Sequence, residues 1–140
     1  MKKGERYIEN HYVETWLDDG IIYVNYKTHL KKITIDIAKQ NILDRLYVTQ
    51  GVTRPCIILS NNAVTVDRES RKLFADGDGI KHLSAGVILV DNYLSKLVAN
   101  IFLSQYMPIK LTKVPTKLFH KTEKKQAIKW LRNYTVERLN

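Results

Sequence analysis

One cysteine, three prolines and six glycines are all that the 140 residues contain of these types. A lone Cys56 excludes an internal disulfide, and its place in an apolar run marks it as a small buried residue rather than a reactive thiol. His11, His29, His82 and His120 are scattered, with no pair at helical ligand spacing and no thiolate besides Cys56, so no metal and no cofactor is expected. Gly77 and Gly79 stand beside Asp76 and Asp78, whose charge repels phosphate, and this excludes a phosphate-cradling loop. A calcium loop starting at Asp76 would need a carboxylate where Val87 stands, so the Asp-Gly-Asp-Gly stretch is a turn. No nucleophile elbow is present, and no catalytic residue is assigned.

Long apolar runs are missing as well. Residues 93–107 are interrupted by Ser95, Lys96, Asn100, Ser104 and Gln105, which leaves them too short and polar to span a bilayer. The basic start, with Lys2, Lys3 and Arg6, leads into no apolar stretch of signal-peptide length. The expectation is a soluble cytoplasmic protein without membrane insertion.

What is present is an ordinary globular composition, 44% hydrophobic and 26% charged. A single domain over residues 1–140, with its core at about 12–134, is expected. Its organising stretch is 55–70. Cys56-Ile57-Ile58-Leu59 is continuously apolar rather than alternating, as in a strand covered on both faces, and Ala85-Gly86-Val87-Ile88-Leu89-Val90 repeats the pattern. Between them Val66, Ser70, Leu73 and Phe74 share one helical side, opposite Arg68, Glu69, Arg71 and Lys72. Two buried strands joined by a helix form a parallel crossover unit.

The flanks fit the same plan. Residues 12–18 and 21–26 are rich in β-branched and aromatic residues, and Asp19-Gly20 between them predicts a type I′ hairpin. Thr34 or Asp36 caps a helix carrying Ile35, Ala38, Ile42 and Leu46, stopped near Gly51. Asp91 or Asn92 caps another with Leu94, Leu97, Val98, Ile101 and Phe102 inward. Thr116-Lys117-Leu118-Phe119 is a short edge strand, and Thr122 opens a last helix through Trp130, Leu131 and Tyr134. The order β-β-α-β-α-β-α-β-α defines an α/β class with a mixed sheet, an N-terminal hairpin and helical crossovers.

This order, with residues 57–71 (Ile-Ile-Leu-Ser-Asn-Asn-Ala-Val-Thr-Val-Asp-Arg-Glu-Ser-Arg), resembles the STAS domains, the anti-sigma-factor antagonist fold, and a related group of small uncharacterised bacterial proteins. In that resemblance a strand leads through an apolar turn into Asp-Ser-Ser-Gly-Leu at the start of the second helix. Asp67 takes the place of the aspartate, Arg68 and Glu69 replace the two serines, Ser70 the glycine and Arg71 the leucine. The phosphoacceptor serine is therefore missing, and Glu69 offers a fixed single charge where phosphate would add about two.

Two groups of candidate residues follow. Ser60, Asn61 and Asn62 lie past the end of a strand, where α/β sheets often bind, and Asp67, Arg68 and Glu69 open the next helix. Their ordinary explanations are loop chemistry and helix capping. Lys121, Lys125, Lys129 and Arg132 recur at helical spacing as a candidate anion-binding stripe, whose ordinary explanation is a solvated face. The formal charge of +9 concentrates here, since residues 110–140 hold nine Lys or Arg against Glu123 and Glu137. The leading expectation is a non-enzymatic regulatory domain that binds another protein through the loop after Leu59 and the helix from Asp67. Nucleic-acid or phosphoanion binding through the basic stripe is the alternative, and an apolar small-ligand carrier, as the resemblance implies for some members, is a third. A homodimer, through an exposed strand edge or the apolar third helix, is a further expectation.

Overall fold

The computed structural model describes residues 6–60, 65–91 and 114–139, the side chains at 60 and 134–139 excepted. The chain runs β1 (Arg6–Glu9), β2 (Val13–Asp18), β3 (Ile21–Tyr26), β4 (Lys32–Ile33), α1 (Ile35–Thr49), β5 (Arg54–Ser60), β6 (Thr65–Val66), α2 (Arg68–Ala75), β7 (Leu83–Val90), β8 (Thr116–His120) and α3 (Lys124–Leu139). Short 3-10 turns at Gly77–Gly79 and Lys121–Glu123 complete the elements. The expected helix of 92–107, with Leu94, Leu97, Val98, Ile101 and Phe102, lies outside the described residues.

Six strands form one mixed sheet in the order β1-β2-β3-β5-β7-β8. The first two pairings are antiparallel and the other three parallel. Asp19 and Gly20 both hold positive φ, 52° and 77°, which is the type I′ geometry that matches strand twist. Around this sheet the period-2 alternation of side chains separates two apolar clusters. Ile22, Val24 and Tyr26 of β3 and Cys56 of β5 face α1, with Leu73 and Phe74 of α2 packed against the same cluster. Ile21 and Tyr23, with Ile57, turn the other way towards Ala127 and Leu131 of α3. The continuous apolar run of β5 is thus divided residue by residue between two cores.

Several elements differ from the sequence expectation. β1 adds a strand before the hairpin, pairing Arg6 with Leu17 through to Glu9 with Glu14. An edge strand needs only one buried side, and the half-buried Arg6 and Ile8 carry too little apolar signal to mark it. β4 and β6 form a second, two-stranded parallel sheet just ahead of α1 and α2. His120, not Thr122, caps the last helical segment: its side chain accepts from the Thr122 N–H while Glu123 accepts from the His120 N–H.

The buried stripe of α1 also departs from the expected one. Ala38 and Ile42 are buried as expected, but Asn41, Asp44, Arg45, Val48 and Thr49 complete the face, with Ile35 and Leu46 only half-buried. Of its polar members Asp44, Arg45 and Thr49 are hydrogen-bonded, whereas Asn41 Nδ2 is buried without a partner among the described residues. Asp44 accepts from Asn10 (2.9 Å) and Gln40 (2.7 Å), tying α1 to the β1–β2 turn. Arg45, 4% exposed, donates to the Asp78 carbonyl at 2.7 Å and the Lys81 carbonyl at 3.0 Å. That bridge fixes α1 to the turn before β7, where Gly79 approaches so closely that a Cβ would collide with the Leu73 carbonyl.

The two donors of Arg45 define a prediction. Arg45→Ala lowers unfolding free energy by about 2 kcal/mol in urea titration, and Arg45→Lys recovers only part of it because one ammonium replaces a fork. A change below about 0.5 kcal/mol for Arg45→Ala would show that the bridge contributes no net stability.

Candidate interaction surface

The parallel strands end in register. Tyr26 pairs with Ser60, Ser60 with Val90, and Val90 with His120, so one row of backbone crosses the sheet at its carboxyl edge. α1 and α2 both start at this edge because each follows a parallel strand. The β4–β6 ladder holds their starts side by side: Thr65 N–H donates to the Lys31 carbonyl at 3.0 Å and Asp67 N–H to the Ile33 carbonyl at 3.2 Å.

Asp67 is the N-cap of α2. Its carboxylate accepts from the Ser70 N–H at 2.8 Å, satisfying a donor that has no partner inside the helix. The Ser70 hydroxyl and backbone N–H beside it, aided by Lys32 and Arg71, hold the Asp67 carboxyl below the ordinary carboxylate range. Arg71 turns back to donate to the Val66 carbonyl at 3.1 Å. Between these fixed points Arg68 and Glu69 are exposed. The backbone of Ser60 closes β5, whereas Asn61 and Asn62 lie outside the described residues.

The basic stripe lies on the opposite face of the sheet, so the two candidate surfaces are separate. α3 packs chiefly on β7, with further contact to β5 and β8, through Ala127 and Leu131. Lys125 and Lys129 are exposed as expected, but the ends of the stripe pair with acids. Arg132 meets Asp19 at 2.7 Å, and Lys121, in the 3-10 turn rather than the helix, lies 3.9 Å from Asp91. Lys117 and Lys124, which the stripe did not include, border α3 on its two flanks. Lys117 Nζ sits 5.3 Å from the Phe119 ring centroid and 6.0 Å from that of Trp130, and Lys124 Nζ 5.3 Å from that of Tyr23.

The histidines are less scattered in space than in sequence. The β1–β2 turn and the β3–β4 connection both reach the carboxyl edge, where the His11 and His29 rings lie 4.8 Å apart and Tyr12 contacts both. Periodicity carries no signal for such a contact between two loops. Beside it a cleft of about 220 Å³ is lined by Asn10, His11, Tyr12, Asp36, Ile37 and Gln40. No group of three or more His, Cys, Asp or Glu is placed to hold a metal among the described residues. His120 serves structure: Nε2 lies 2.9 Å from the Asp91 carbonyl and Nδ1 accepts from Thr122, joining the ends of β7 and β8 to the start of α3. Cys56 is buried, and burial pushes its thiol up to about 12, with Arg45 opposing.

The pattern of a family described as a domain of unknown function (DUF7793) matches residues 15–135. The chain belongs to this family. No curated protein and no solved structure matches it. The DUF7793 span contains both candidate surfaces, while β1 and the His11–Tyr12 turn precede it. Among the described residues, no helix of this DUF7793 chain is long and apolar enough to cross a membrane.

Two outcomes follow from these environments. Because the Asp67 carboxyl is held low in the fold, its contribution is complete above its unfolded value of about 3.9 and is lost as pH falls towards the folded value. Asp67→Ala is therefore less stable than the native chain at neutral pH, and the gap in urea midpoint closes on acidification below about pH 4. A gap independent of pH would assign the loss to something other than the charged cap. At pH 8 native Cys56 resists iodoacetamide and reacts after unfolding in urea; rapid labelling of the folded chain would contradict its burial.

Proposed function

We propose that this chain is a non-enzymatic regulatory domain of STAS-like fold that recognises another protein through the carboxyl edge of its sheet, at the end of β5 and the first turn of α2. The observation that carries the reading is the fixation of that turn. Arg68 and Glu69 are exposed on a backbone held on one side by the β4–β6 ladder and on the other by the Asp67 cap. A surface ordered before contact spends less conformational entropy on binding, which suits recognition. The antiparallel hairpin followed by parallel strands reached through α1 and α2 supports the STAS-like reading, as does an aspartate opening α2.

In this reading Glu69 holds one permanent negative charge in a first helical turn, where a phosphorylated serine would add about two that can be removed. The surface is then constitutive, and any regulation acts through the partner's abundance or through another site. The cleft of about 220 Å³ is smaller than the roughly 300–1,000 Å³ of small-molecule sites, so it lends the carrier alternative no support.

Capture from lysate of the source cells, with cross-linking and mass spectrometry, tests the surface. A partner held by the native chain is lost at least about tenfold by the Arg68→Glu, Glu69→Lys double variant, which leaves net charge unchanged, and is retained by Lys125→Glu, Lys129→Glu. Equal recovery by the native chain and the Arg68, Glu69 variant would exclude this surface as the contact.

A further inference from the structure

We propose that the face formed by α3 and β8 binds the phosphate backbone of a nucleic-acid strand without reading its bases. Residues 114–133 contain six Lys or Arg and one acid, Glu123. That acid is engaged, since its carboxylate accepts from the His120 N–H at 2.8 Å. Arg132 and Lys121 are drawn to Asp19 and Asp91. Lys117, Lys124, Lys125 and Lys129 remain, all exposed and with no carboxylate partner among the described residues.

The arrangement of these four lysines selects the ligand class. Lys125 and Lys129 are one turn apart on α3, an axial step of about 6 Å, comparable to the separation of successive phosphates along a strand. Lys117 and Lys124 are positioned by the rings of Phe119, Trp130 and Tyr23, which hold their ammonium groups near the flanks of α3 and reduce the entropy lost when a phosphate is bound. Ammonium groups along the ridge of α3 and on both its flanks suit a repeating anion.

Two other polyanionic partners fit less well. A membrane surface or an acidic protein would draw on exposed apolar anchors beside the charges. Among the described residues the exposed large apolar side chains are Tyr7, Tyr12, Leu43, Tyr47 and Val52, none of them on β8 or on α3 as far as Asn133. The apolar side of α3 is spent on the core through Ala127 and Leu131. From 124 to 133 the fully exposed side chains are all charged or polar, with Ile128 and Trp130 half-buried, and exposed cationic charge binds a phosphate backbone through release of its counterions.

The test is fluorescence anisotropy with a labelled mixed-sequence single strand of about 20 nucleotides, at salt between about 50 and 200 mM. Four lysines at about 0.7 each predict a log–log salt slope near −3. Lys125→Glu, Lys129→Glu is expected to weaken binding at least about tenfold and to reduce the slope by about 1.4. Lys39→Glu, Lys72→Glu makes the same change in net charge on the α1–α2 face, where both are exposed, and stays within about twofold of the native affinity. The proposal is overturned by absence of saturable binding at about 50 mM salt, by equal losses in the two double variants, or by poly-glutamate competing as well as unlabelled oligonucleotide. Circular dichroism spectra matching the native chain confirm that the exposed substitutions leave the fold in place.

Discussion

The central strands of this domain have no face to spare for water. In β3 and β5 alternate side chains enter different cores, Ile22 and Cys56 on one side and Ile21 and Ile57 on the other. Such strands are stable only if helices cover both sides, and parallel pairing of β3 with β5 and of β5 with β7 requires crossovers long enough to contain them. Among the described residues α1 and α2 cover one side and α3 the other. Everything placed at the sheet edges follows from that covering.

One consequence is the carboxyl edge. Since every parallel strand ends in the same row, each segment that follows starts there: the β4 connection and α1, β6 and α2, and the 3-10 turn ahead of α3. The capped start of α2 and the basic ridge of α3 nevertheless belong to opposite layers. The exposed Arg68-Glu69 turn and the lysines of α3 therefore occupy separate areas of this DUF7793 chain.

Another consequence is the cost of interrupting an apolar face with charge. Asp44 and Arg45 are adjacent on α1, and both are buried. Each survives burial because its hydrogen bonds are supplied by neighbours in space, by Asn10 and Gln40 for the carboxylate and by two carbonyls for the guanidinium. These bonds link α1 to the turn after β1 and to the turn before β7, two places that the hydrophobic clusters alone leave loosely specified. The polar interior of α1 therefore sets register between layers.

Most of the architecture was legible in the chain itself. The type I′ hairpin at Asp19-Gly20, the two-sided strands β5 and β7, the Asp67 cap, the Gly51 stop and the edge strand before α3 are each specified by a few neighbouring residues, because turn geometry, strand burial and capping are local. The α1 face was misread at Asp44 and Arg45, where charged residues occupy core positions that only their side-chain and carbonyl partners make tolerable. β1 escaped notice because four residues, two half-buried and two exposed, carry little pattern. Of the candidate sites, Asp67, Arg68, Glu69, Lys125 and Lys129 lie as their sequence positions indicate. The involvement of Lys117 and Lys124, the diversion of Lys121 and Arg132 to Asp91 and Asp19, and the meeting of His11 with His29 were decided by the tertiary structure alone. These are contacts between residues far apart in the chain, and no periodicity records which loop ends or strand flanks the sheet will bring together.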